Sequence, residues 1–210
     1  MSILQTVRTA TRSKHDLMEN LIGSDRLSIF SIEDYNLLLS TNYLFHSHLE
    51  AKVRIFLSTL DQKKQQEPQE KQLIKLNFKE RVKAISLEQE LKHILPLSTF
   101  EKLKSLPNTI YFLDYYSLLG HVYVAEGSML GGKMMHKVLS QNTHINKVTR
   151  FEFFKNYQHK TLELWKDFKE LVVEGCTSEQ QKEHFLDGAE KSYMYFEKAF
   201  YQAKNILQQE

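Results

Sequence analysis

The chain has 210 residues, 41% of them hydrophobic and 26% charged, enough for one domain over 1–210 to bury a core without disulfides or metal staples. Its 28 Lys and Arg against 26 Asp and Glu give a formal charge of +2, no polybasic footprint, which argues against nucleic acid as a partner. Only seven glycines, three prolines and one cysteine favour long helices over a many-turned β protein, and a lone Cys176 excludes an internal disulfide or paired-cysteine metal site.

The opening residues MSILQTVRTATRSKH lack the apolar run of a signal peptide. No stretch reaches the roughly 18 apolar residues of a membrane span. The best candidate, YSLLGHVYVAEGSMLGG, carries His121 and Glu126 in its middle. A cytoplasmic protein without membrane association is expected.

In chain order, residues 3–22 place Ile3, Leu4, Val7, Ala10, Thr11, Met18, Leu21 and Ile22 on one stripe, predicting a first helix. Ser31 and Asp34 mark the N-cap region of a long second helix carrying Tyr35, Leu38, Leu39, Leu49, Val53 and Phe56. The polar run 61–71, with Pro68, reads as a solvated loop. Leu73 to Leu95 is helical in pattern, and Pro96 and Pro107 bracket a short helix. A long segment from about Ile110 to Leu139 holds the glycine-rich stretch, and Phe151 to Val173 is again helical. Ser178 through Gln181 forms a capping pattern opening a last helix with the stripe Ala189, Tyr193, Phe196, Phe200, Ala203 and Leu207. The fold class is all-α.

The stretch GSMLGGKMM, Gly127 to Met135, spells a phosphate-binding G-x-x-x-x-G-K but has Met134 where that loop needs Ser or Thr for magnesium. The strand and helix alternation of a nucleotide fold is also missing. Read as helix, Gly120, Gly127 and Gly131 fall within roughly 40° of one another. Each glycine in a helix costs roughly 1 kcal/mol relative to Ala. Close helix packing would offset that cost, and so would a flat ligand that no Cβ may touch.

His15 lies at the border of the first helix's apolar face, with Arg8 two turns earlier and Glu19 at i+4. A border imidazole can ligate a metal through one nitrogen while a carboxylate holds the other N–H. It can equally be a half-buried partner of Glu19.

Together, ATRSKHDLMEN and LLGHVYVAEGSMLGGKMM resemble the haem oxygenase family, and YVAEGSMLGG is especially similar to its bacterial, biliverdin-producing branch. HKTLELWKDF and the aromatic last helix extend the likeness over most of the chain. The resemblance implies an all-α, multi-helix bundle with haem between a proximal helix and a kinked, glycine-rich distal helix. It makes His15 the iron ligand supported by Glu19, Gly127 and Gly131 the distal glycines whose backbone meets the haem face, and Gly132 part of the same cradle. Arg8 and Tyr123 match positions that contact haem propionates. Mammalian members carry an Asp directly after the first distal glycine; Ser128 stands there, as in bacterial relatives that manage without the Asp. Proton delivery then falls to Ser128 and ordered water.

The implied reaction opens haem to biliverdin, carbon monoxide and ferrous iron with O₂. Its electrons come from an external ferredoxin, flavodoxin or reductase, because the chain has no flavin or iron–sulfur motif. The alternatives are a haem-binding or haem-transfer protein without turnover, and an unrelated all-α protein whose glycines only pack helices. Glu90 and His93 form a single E-x-x-H where a di-iron bundle needs two. His46 and His48 point about 160° apart on a helix and cannot share a metal. Cys176 has no patterned catalytic partner.

Overall fold

Side-chain caps set where four of the helices begin. The computed structural model describes residues 2–61, 78–155 and 160–209 of the chain. Among these described residues there are nine α-helices and no strand. Ser2 caps α1 (Ile3–Ala10), its Oγ accepting from the Gln5 N–H while Gln5 Oε1 accepts from Ser2 N–H at 3.1 Å. Ser31 and Asp34 make the same reciprocal pair at the start of α3 (Ile32–Asp61), at 3.0 and 3.2 Å. Ser178 and Gln181 do so for α9 (Glu179–Leu207), as their spacing predicts.

The first predicted helix is two. It divides at Thr11, whose hydroxyl donates to the Val7 carbonyl at 2.8 Å, and resumes as α2 (Arg12–Ile22). A threonine that bonds back four residues competes with the regular ladder and bends a helix, which here re-aims everything from Arg12 onward. The helix then stops at Gly23, whose φ of 68° is the left-handed conformation of a helix C-cap.

Two further predicted helices are shortened by carboxylates reaching across from other elements. Within Leu73 to Leu95, positions 73–77 lie outside the described residues and Phe78–Arg81 forms a single 3₁₀ turn. Regular helix begins only at α4 (Ala84–Ile94), where Glu50 Oε1 from α3 accepts from the Lys83 and Ala84 N–H groups at 2.6 and 3.0 Å. The predicted helix Phe151 to Val173 is likewise divided. Glu90 on α4 accepts from Phe151 N–H at 2.7 Å and holds that residue at a φ of 56°. The short α7 (Glu152–Lys155) follows, and α8 (Thr161–Gly175) starts after residues 156–159, which lie outside the description. The predicted polar loop 61–71 is also outside it, save for Asp61 at the end of α3.

The proline-bracketed helix forms as α5 (Leu97–Lys104), and the glycine segment forms as α6 (Tyr115–Gln141), an unbroken helix capped by Asp114. HVYV, which alone could pass for a strand, lies inside it. The centre of the fold is α9, packed on α6 and on α3. Around one half of this core sit α1, α2 and α8, with Val7, Phe45, Leu118, Leu119 and Phe168 buried together. Tyr35, Leu39, Leu87, Phe100 and Leu139 fill the other half.

Candidate functional site

The glycines of α6 do two different things. A Cβ on Gly120 would stand 2.1 Å from the Phe185 carbonyl oxygen, and one on Gly188 of α9 would stand 2.1 Å from the Ser117 carbonyl oxygen. These two glycines let α6 and α9 touch backbone to backbone, so Gly120 leaves the ligand stripe and belongs to packing. At Gly131 and Gly132 an added Cβ would meet nothing within 4 Å, and at Gly127 only the Trp165 ring, at 3.8 Å. No packing partner explains these three. Between them, Ser128 is exposed, and its hydroxyl donates to the Ala125 carbonyl at 2.8 Å.

On α2, His15 is half-exposed, with Nδ1 3.6 Å from Asp16 Oδ1 and 3.8 Å from Glu19 Oε2. Both carboxylates face one ring nitrogen, Nδ1, and neither faces Nε2. Asp16, which the sequence pattern did not single out, is as near as Glu19 and is itself held by Arg12 at 3.0 Å.

α2 and α6 both lean on α9, and a line of aromatic side chains joins them. The His15 ring meets Tyr193 of α9 edge-on, with centroids 6.4 Å apart. Burial pushes the Tyr193 phenol up to about 12, the neighbouring Tyr123 phenol adds to the rise, and a hydrogen bond with Thr11 opposes it. Tyr123 in turn packs 5.5 Å from Trp165 of α8, the ring that borders Gly127. Burial also raises Tyr123, while the Arg8 charge draws it back, so Arg8 of α1 and Tyr123 of α6 sit at the same end of this wall. His15, Arg8, Tyr123 and Gly127 are thus strung along one surface. Tyr193 and Trp165 belong to that surface too; the sequence showed the first only as part of a core stripe.

A family model described as Heme oxygenase matches residues 1–202. The chain belongs to the haem oxygenase family. Solved haem oxygenases share its fold at low identity. That of Leptospira interrogans is 15% identical, with a TM-score of 0.68 over 95% of this chain and 98% of its own. Haem oxygenase 2 of Chlamydomonas reinhardtii, solved without haem, is 15% identical, with a TM-score of 0.70 over 96% and 97%. The Neisseria meningitidis enzyme, solved with NO and CO bound, is 16% identical, with a TM-score of 0.65 over 97% and 92%. No curated protein sequence matches.

In this haem oxygenase fold the remaining titratable candidates are structural. Glu90 is fully buried and accepts from the Tyr35 hydroxyl at 2.8 Å as well as from Phe151. His48 pairs with the Tyr195 hydroxyl, whereas the His46 ring packs against Phe45 and Phe153. Burial, reinforced by Asp114, pushes the Cys176 thiol up to about 12, which makes it inert. Among the described residues, no helix is long and apolar enough to cross a membrane.

Proposed function

We propose that this chain opens haem oxidatively to biliverdin, carbon monoxide and ferrous iron, using O₂ and electrons delivered from outside. One observation carries the reading: three glycines on α6 face open space or a single ring edge, on a surface shared with a half-exposed His15. That cradle and that imidazole suit a flat macrocycle with a metal at its centre.

Haem, when bound, supplies the redox-active iron and the carbon that is oxidised. His15 would offer Nε2 to the iron, and the nearby Asp16 and Glu19 carboxylates, 3.6 and 3.8 Å from Nδ1, favour the tautomer with its proton on that nitrogen. Gly127, Gly131 and Gly132 would present backbone without side chains to the macrocycle, so that a Cβ would not obstruct a small ligand such as O₂. Ser128, whose own proton is committed to the Ala125 carbonyl, offers its lone pairs to an ordered water that can pass protons inward. Arg8 and Tyr123 would meet the propionates, the guanidinium donating to a carboxylate through two parallel bonds. With one cysteine, no iron–sulfur relay can be built within the chain, so a ferredoxin, flavodoxin or reductase must supply electrons. Dependence on a reduced donor fits a cytoplasmic setting.

The test is a titration with hemin followed by a reductant and O₂. A Soret band should appear at one equivalent and then be lost as biliverdin forms. His15→Ala should remove the histidine-ligated spectrum, and added imidazole should restore it. Binding without conversion would leave a haem-transfer protein, and no Soret band would end the haem reading.

A further inference from the structure

Behind the glycine wall lies a buried ionic cluster that nothing in the proposed chemistry uses. Arg81, Lys83 and Glu126 are each no more than 4% exposed. Arg81 Nη1 donates to Glu126 Oε2 at 2.6 Å, and Lys83 Nζ donates to Glu126 Oε1 at 3.0 Å. The second guanidinium nitrogen, Nη2, donates to the Leu164 carbonyl of α8 at 3.1 Å. Lys83 is itself fixed from α3, its backbone N–H donating to Glu50 at 2.6 Å.

Burying such charges is a poor route to stability, because well-packed apolar side chains of the same volume do as well or better. What ion pairs add is direction. Glu126 directly precedes Gly127, and Leu164 directly precedes Trp165, whose ring is the one atom group near the Gly127 face. The two arms of Arg81 therefore grip α6 and α8 one residue behind Gly127 and Trp165, the two positions that meet there. With three glycines in the next six residues, the buried side chain of Met129 is what packs that part of α6 into the core.

Resting on the haem reading, we infer that Arg81 and Lys83, acting through Glu126, are positioning residues that set the height of the Gly127 backbone and the Trp165 ring over the bound macrocycle.

Two variants test this. Arg81→Lys keeps the charge but cannot reach both Glu126 and Leu164 with one planar fork. Lys83→Met combined with Glu126→Gln removes one charge of each sign. Trp165, the sole tryptophan, reports on the wall by its emission without any haem. In the hemin complex, the pH midpoint between the acid and alkaline ferric spectra reports on the distal face.

Both variants should fold and keep a His15-dependent Soret band. Their Trp165 emission and pH midpoint should shift, and turnover should fall roughly 100-fold, the scale of a small misplacement at a reacting centre. Variants that keep the wild-type emission, midpoint and turnover would overturn the positioning role alone. Loss of the fold in both would make the cluster purely structural and overturn it equally. A wild-type chain with no Soret band would sink the haem reading and this role with it.

Discussion

Arg8 and Tyr123 come from helices more than a hundred positions apart in the chain, yet the Arg8 charge lies close enough to the Tyr123 phenol to oppose the rise that burial imposes. Arg8 is exposed and Tyr123 half-buried, the arrangement expected of groups at the mouth of a slot. Contacts there to the propionates would set the in-plane rotation of haem, and hence which meso carbon faces the distal glycines. Arg8→Ala or Tyr123→Phe should therefore change hemin affinity only a few-fold, roughly 1 kcal/mol, while shifting the mixture of biliverdin isomers. Chromatography of the products from wild type and each variant reads this directly. An unchanged isomer ratio in both would remove the two residues from the slot. The pairing of Arg8 with Tyr123 had no sequence signal beyond family likeness, because a basic residue near an N-terminus usually meets only water.

At the scale of the element, α6 separates what was legible in the sequence from what was not. Its far end near Leu139 and the lining-up of Gly120, Gly127 and Gly131 on one stripe follow from local pattern, as do the caps of α3 and α9, whereas its start falls at Tyr115 rather than near Ile110, behind the Asp114 cap. The division of that stripe does not, because it depends on Gly188, which reaches Gly120 only when α9 crosses α6. The Thr11 break was hidden because Thr11 sits on the apolar stripe of the helix it interrupts. Arg81 and Lys83, in a polar stretch of sequence, gave no sign of being buried. The division predicts opposite responses along one helix. Gly120→Ala forces a Cβ against the Phe185 carbonyl and should destabilise by about 1–3 kcal/mol or more, as overpacking does. Gly131→Ala should raise the melting temperature slightly, since the helix gains roughly 1 kcal/mol of propensity. Gly131→Leu should keep that stability and lose haem turnover by filling the slot. Calorimetry on the apo-protein beside hemin turnover distinguishes these cases, and a collapse of Gly131→Leu on heating would return the glycine to helix packing.

Across the whole molecule, the interior carries neutral imidazoles that resist protonation. Burial lowers His121 to about 4, the Tyr111 backbone opposing the shift without reaching hydrogen-bond geometry to either ring nitrogen. Burial, then the Lys83 charge, lowers His46 well below its usual range, and burial also lowers His48. In the unfolded chain these groups take up a proton near 6.5, whereas folded His121 waits until about 4. Between those values the unfolded chain binds more protons, so stability falls as pH falls and levels off below the folded value. For His121 alone, the drop from 6.5 to about 4 corresponds to roughly 3 kcal/mol. Glu50 works the other way: burial raises its carboxyl, so its folded form holds a proton more readily and gains stability on acidification. His46, His48 and His121 thus each lose stability in acid, and Glu50 opposes them. Thermal unfolding followed by circular dichroism from about pH 7 down to about pH 4 should show a steep fall in wild type. It should show a fall shallower by roughly 3 kcal/mol in His121→Met, which fills a similar volume and cannot titrate. Because His15 is half-exposed on α2 and His121 is buried on α6 against Phe112, this acid lability should appear in the apo-protein and persist in His15→Ala. Parallel curves for wild type and His121→Met would place the acid sensitivity in another group and remove His121 from the account.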